Sequence, residues 1–166
     1  MALTPPSPMG TGRDVFLDTS VLLAGLVDFG PPSVPAQRVL HAVSVGTIAA
    51  GTAWHCCLEV YSVATRLPPE FRVSPADAAR LLQEEVFARM VIHDLPPSGR
   101  GPFLASLVQE GIAGGRIYDA HIAEVARAAG ARSIVTDNRR HFLAALRHGL
   151  RVETPAEFMA GEKRRP

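Results

Sequence analysis

Two short apolar runs in this chain each end on an aspartate: Val15-Phe16-Leu17 on Asp18, and Ser133-Ile134-Val135-Thr136 on Asp137. Runs this short, rich in β-branched and aromatic residues, read as strands buried on both faces. Strand signals stand at 13–18, 46–50, 90–94, 132–136 and 150–153. Helical patterns fill the spaces at about 19–28, 33–45, 52–67, 74–88, 101–110, 115–130 and 138–147. A short final turn follows at 154–160, where Thr154-Pro155-Ala156-Glu157 has an N-cap residue and a proline at the first helical position. Strands alternating with helices predict a parallel sheet covered on both faces. Ligands of such sheets lie outside the carboxyl ends of the strands, where Asp18 and Asp137 stand.

Two more carboxylates point to the same edge. In Trp54 to Leu67, the residues His55, Glu59, Ser62 and Arg66 fall at i, i+4, i+7 and i+11, a narrow polar stripe flanked by Leu58, Val60, Tyr61 and Val63. This predicts Glu59 at a partly buried rim. After Gly114-Gly115, the segment Arg116 to Ala126 predicts a helix with Tyr118, Ile122, Val125 and Ala129 on its core face and Asp119 one step round. Gathered carboxylates repel, by about 4 kcal/mol per pair at 4 Å and an effective dielectric near 20. Without buried Lys or Arg partners, such a cluster calls for a divalent cation and suits a metal-dependent hydrolytic centre.

Each acid also has an ordinary explanation. Asp18 or Thr19, and Asp137 or Asn138, are good N-caps. Asp119 suits the first turn of a helix, and a solvated helix face would give the stripe around Glu59. Their joint order and their placement at strand ends favour a site.

A chain of 166 residues with 47% hydrophobic content suits one domain with a sizeable core. No apolar run approaches the roughly 18 residues of a membrane span. Residues 1–12, rich in Pro, Ser and Thr, read as a disordered lead-in rather than a signal peptide, which makes a cytoplasmic location the expectation. Residues 161–166 form a basic tail. The net charge of +1 predicts no partner by bulk electrostatics; Lys163 is the only lysine, so the basic side is almost all arginine. Cys56 and Cys57 are adjacent and lack a second ligand pair, so neither a disulfide nor a zinc site follows and both read as small buried residues. The histidines, at 41, 55, 93, 121, 141 and 148, show no zinc-protease spacing. His121 and His141 lie near the expected crevice, with a structural or surface role as the simpler reading.

Four segments, in order, resemble the PIN-domain ribonucleases, most closely the VapC-type toxins of bacterial VapBC toxin–antitoxin pairs. They are Leu17-Asp18-Thr19-Ser20-Val21-Leu22; Glu59 with the helix ending near Arg66; Tyr118-Asp119-Ala120-His121-Ile122-Ala123; and Ile134 to Phe142 through Thr136-Asp137-Asn138-Arg139-Arg140-His141. The resemblance covers residues 13–160. It implies a three-layer α/β/α fold around a central, mostly parallel sheet of four to five strands. One departure stands out. Many family members carry the last acid two residues beyond the threonine, where this chain has Asn138, and Asp137 comes one residue earlier. Either Asp137 fills the metal-proximal place, which we favour, or Asn138 supplies an oxygen while Asp137 caps the helix.

The resemblance further implies an endoribonuclease using Mg²⁺ or Mn²⁺, with Asp18, Asp119 and Asp137 as metal ligands and Glu59 completing the catalytic set. An all-oxygen donor set favours these hard cations over zinc. Candidate phosphate contacts are Thr19, Ser20, Arg66, Arg116, Thr136, Asn138 and Arg139. RNA, a VapB-type antitoxin and a second copy of the chain are the implied partners. The alternatives are a housekeeping PIN nuclease and a catalytically silent PIN-fold interaction module. A haloacid-dehalogenase-like phosphatase would need a second aspartate two residues past Asp18, where Ser20 stands.

Overall fold

A computed structural model describes residues 15–162. Five strands form one parallel sheet: β1 (Val15–Leu17), β2 (Ala50–Ala53), β3 (Val91–His93), β4 (Ser133–Val135) and β5 (Arg151–Glu153), in the order β3-β2-β1-β4-β5. Seven α-helices accompany them: α1 (Thr19–Leu26), α2 (Val34–Ser44), α3 (Trp54–Ala64), α4 (Pro75–Leu81), α5 (Pro97–Gln109), α6 (Arg116–Ala128) and α7 (Pro155–Glu162). The result is the expected three-layer α/β/α arrangement, with every strand pairing parallel. The expected lead-in 1–12 lies outside the described residues, and α7 carries the fold to Glu162, past the expected start of the basic tail.

The central strands are short because they are covered on both sides. Phe16, Leu17, Ile134 and Val135 are fully buried, and from the helices Val21, Leu22, Val39, Val86, Ile122, Val125 and Phe142 pack around them. Gly25 marks a close approach: a Cβ there would press on the Leu40 side chain, so α1 and α2 meet where a methyl group would need Leu40 to move. Cys56 and Cys57 are buried and free, as expected. Burial pushes their thiols up to about 11 and about 12, respectively.

Four boundaries differ from the sequence expectation. The second strand lies at 50–53 rather than 46–50, because the amides of Val45, Gly46, Thr47 and Ile48 all bond back to carbonyls of α2. Gly46 takes φ +75° to make that turn, and so the apolar character of 45–48 serves a helix end. β2 itself, Ala-Gly-Thr-Ala, is a poor strand former by propensity; its small residues suit a central strand buried at every position. The pattern at 74–88 splits into α4 and a π-turn over Leu82–Phe87. The segment Pro96-Pro97-Ser98-Gly99, expected as a connector, caps and opens α5, with Pro97 in its first turn. After β4 comes a 3₁₀ segment, Arg139–His148, closed by Gly149 at φ +76°.

Candidate active site

β1 is the middle strand, so its carboxyl end is flanked by those of β2 and β4. Asp18 leaves β1 there and is only 4% exposed. It stands at the N-cap of α1, yet its carboxylate makes no capping bond; the amides of Thr19 and Ser20 lie near enough to favour its charge without bonding geometry. Two hydroxyls hold it instead. Thr136 Oγ1 donates to Asp18 Oδ2 at 2.8 Å and Ser20 Oγ donates to the same oxygen at 2.9 Å. Burial raises the Asp18 carboxyl above its ordinary range, and these two bonds oppose the rise.

The hydroxyls also fix the corner after β4. Ser20 Oγ accepts from the Asp137 amide at 3.1 Å, and Thr136 Oγ1 accepts from the Asn138 amide at 2.9 Å. Asn138 opens the 3₁₀ segment without a side-chain cap. Asp137 is raised by partial burial first and by the charge of Asp18 second. The residue is largely exposed, so Asp18's charge is the contribution that bears on the site.

Glu59 is exposed rather than at a partly buried rim, and Leu58 and Tyr61 beside it are exposed too. The face α3 buries is Cys56, Cys57, Val60 and Ala64. Glu59 still turns toward the site: Thr19 Oγ1 donates to its Oε2 at 2.6 Å. Asp119 lies in the first turn of α6. That helix runs back against the strands, so its N-terminus belongs at their carboxyl ends. Burial raises its carboxyl; the charge of His141 opposes this, Asp18 and Glu59 add to it, and His55 opposes. His141 Nδ1 stands 3.6 Å from Asp119 Oδ2. Tyr118, expected in the core, is 53% exposed and stacks on His55, because the first turn of α6 reaches the strand ends, where the sheet no longer covers it.

The charges of Asp18 and Glu59 act on Asp119, and that of Asp18 on Asp137, and no Lys or Arg pairs with any of these acids among the described residues. The candidate phosphate contacts fare unevenly. Thr19, Ser20 and Thr136 have hydroxyls engaged inside the site. Arg139 pairs with Glu157 at 2.8 Å, Arg66 is exposed beyond the end of α3, and Asn138 is exposed at its corner. Arg116 lines a cleft of about 710 Å³ together with Asp119, Arg140 and His141, over a floor that includes Ile112, Ala123 and Phe142. Arg140 was not among the candidate site residues, and His141 was expected near the crevice with a structural or surface role as the simpler reading. The signal for Arg140 was its place just past Arg139 in the turn after β4, which is equally a surface signal.

As they stand, no three His, Cys, Asp or Glu side chains among the described residues enclose a point that would hold a bare ion. The donor chemistry fits a hydrated one. Magnesium keeps several waters and needs only one or two carboxylates plus substrate phosphate. Unneutralised acids, raised first by burial and, at Asp119 and Asp137, further by neighbouring carboxylates, suit that arrangement.

The buried hydroxyl of Thr136 serves two partners, and Thr136→Val keeps its shape while removing both bonds. We expect a loss of about 1–3 kcal/mol of stability, read as a lower urea midpoint at unchanged slope. An unchanged midpoint would mean that Asp18 finds its partner elsewhere.

A carboxylate crevice at the strand ends of a parallel α/β/α sheet defines a hydrolase of the acid-and-metal type. A family model described as PIN domain matches residues 14–140. Ribonuclease VapC40 of Mycobacterium tuberculosis is 35% identical over 122 residues, which is 74% of this chain and 85% of that protein. Ribonuclease VapC27 of the same organism is 36% identical over 110 residues, 64% of this chain and 72% of that protein. The structure of VapBC2 from Rickettsia felis, bound to a DNA fragment from their promoter, shares the fold. It aligns at a TM-score of 0.58 with 17% identity, covering 85% of this chain and 98% of that one. The chain belongs to the PIN-domain family and, within it, to the VapC ribonucleases, metal-dependent nucleases that are the toxins of toxin–antitoxin pairs. Among its described residues, no helix is long and apolar enough to cross a membrane.

Proposed function

We propose that this chain cuts RNA with Mg²⁺ or Mn²⁺ held by Asp18, Asp119 and Asp137, and that Glu59 acts on the attacking water. The observation that carries this reading is the set of hydroxyls holding Asp18 and Glu59 beside one another's helices, with Asp119 and Asp137 sensing their charge and no arginine or lysine paired to these acids among the described residues. When bound, the cation offsets charge on the phosphate and makes water a better nucleophile. The residues of the chain do the rest. Thr136 and Ser20 fix one oxygen of Asp18, leaving the other for the ion. Thr19 holds Glu59 by a hydrogen bond, and the Glu59 carboxylate would take a proton from the attacking water. Arg116 and Arg140 border the cleft beside Asp119 and hold the phosphates that flank the one being cut, gripping the backbone without reading bases.

A VapB-type antitoxin is the proposed restraint, a homodimer the proposed assembly and the cytoplasm the proposed location; the family carries each of these. The domain is proposed to run from 13 to 160.

Metal removal tests the reading directly. Cleavage of total RNA should disappear in EDTA and return with Mg²⁺ or Mn²⁺, because the acids cannot hold a phosphate without a cation between like charges. Full activity in chelator would sink it.

A further inference from the structure

We infer that Tyr118, stacked on His55, is a platform for a nucleobase beside the phosphate that is cut; this rests on the nuclease reading above. The Tyr118 ring lies parallel to that of His55, with centroids 5.2 Å apart and planes 6° apart. His121 meets His55 edge-on at 6.1 Å, and Phe103 meets His121 edge-on at 5.7 Å. Four rings from α3, α5 and α6 thus form one chain, and its outermost member is 53% exposed. An exposed aromatic ring is ordinarily free to turn. This one is already ordered, so a base stacking on it loses little to fixing the ring.

Its position gives the platform its purpose. Tyr118 immediately precedes Asp119, and His55 lies one turn before Glu59 on α3. The charge of His55 acts on Asp119, so the stack sits at the rim between two acids of the site. The other side of the same first turn of α6 carries Arg116, which faces the cleft with Arg140. A single strand crossing this turn meets a stacking surface, the acids and a cationic cleft in succession. Bases splayed out of a loop are held in this way, on aromatic faces, with little demand on sequence.

The test uses a short single-stranded RNA of mixed sequence carrying 2-aminopurine, whose fluorescence is quenched when the base stacks. Protein bearing Asp18→Asn is titrated so that the RNA stays whole, alone and combined with Tyr118→Phe, Tyr118→Leu or Tyr118→Ala. Phenylalanine should bind within about two-fold and keep the quenching. Leucine and alanine should each weaken binding about ten-fold or more, in line with the usual worth of one stacked base, and should lose the quenching. Leucine has bulk without a π face, so binding and quenching retained in Tyr118→Leu overturn the platform. A shift to a smaller species on size exclusion with Tyr118→Ala, at unchanged RNA affinity, also overturns it and assigns the ring to contact between copies. The nuclease reading is checked apart from all this: if wild-type protein with Mn²⁺ neither cuts nor binds RNA, that reading falls and takes the platform with it.

Discussion

Asp119→Asn should lower RNA cleavage about a thousand-fold, equal to about 4 kcal/mol of transition-state stabilisation, while the metal-free protein stays as stable or gains stability. The activity loss follows from removing an anionic oxygen where the cation and the substrate phosphate must meet. The stability effect has the opposite sign because Asp119 carries its charge at a cost in the metal-free protein. Burial, the largest cause, raises its carboxyl; the charges of Asp18 and Glu59 add to the rise, while those of His141 and His55 oppose it. A folded-state pKa above the unfolded value means that the native protein binds the proton more readily than the unfolded chain does. The group's contribution is therefore fully favourable below the unfolded pKa and becomes a cost as pH rises through the folded one. Asparagine removes that cost at neutral pH, and its advantage should fade below about pH 4, near the unfolded carboxylate value. Urea melts of both proteins at pH 7 and at low pH would show this. If Asp119→Asn unfolds the protein, Asp119 is structural and its place in the site is wrong.

Expression of the chain alone should arrest growth, and Asp18→Asn should relieve the arrest completely. An active RNA-cutting enzyme with an open acid edge has to be restrained in the cell that makes it. The edge invites a particular restraint. Among the described residues its carboxylates pair with no arginine, so an arginine from a VapB-type antitoxin can form bidentate, charge-assisted bonds to Asp18, Asp119 or Asp137. That guanidinium would stand in the cation's place and exclude the phosphate at once. Co-expression with the antitoxin gene, expected immediately upstream, should restore growth as well as the substitution does. If wild-type protein is harmless at high level yet cuts RNA in vitro, the toxin role is lost and the PIN nuclease remains.

The sheet was legible because its strands are pure apolar runs set between helical periods, and Asp18 and Asp137 were legible because they end those runs. What escaped the sequence depends on where chain segments meet. Val45 to Ile48 look like a strand, and only the folded chain shows their amides turning back onto α2. Tyr118 has core spacing on α6, but its turn reaches past the sheet, so it stacks on a histidine of α3 instead. Thr19 and Ser20 read as groups that either orient Asp18 or contact phosphate at a helix start, and Thr136 as a phosphate contact. The fold turns them inward to orient Asp18 and Glu59. The cationic wall of the cleft pairs Arg116 with Arg140, residues far apart in sequence and unremarkable in isolation.

The bond from Thr136 to Asp18 joins residues 118 positions apart, across two neighbouring strands. Synthesis reaches Asp18, Glu59 and Asp119 well before it reaches β4, which flanks β1 on the side opposite β2. Until that strand emerges and inserts, Asp18 lacks its most distant hydrogen-bond donor, Asp137 does not yet exist, and one flank of β1 is bare. A partly made chain thus carries most of its acids without the seat that aligns them. The ribosome, a particle made largely of RNA, is the first such molecule this protein meets. The strand order therefore delays alignment of the acids until the chain is nearly finished, so an unfinished chain beside the ribosome lacks the assembled edge.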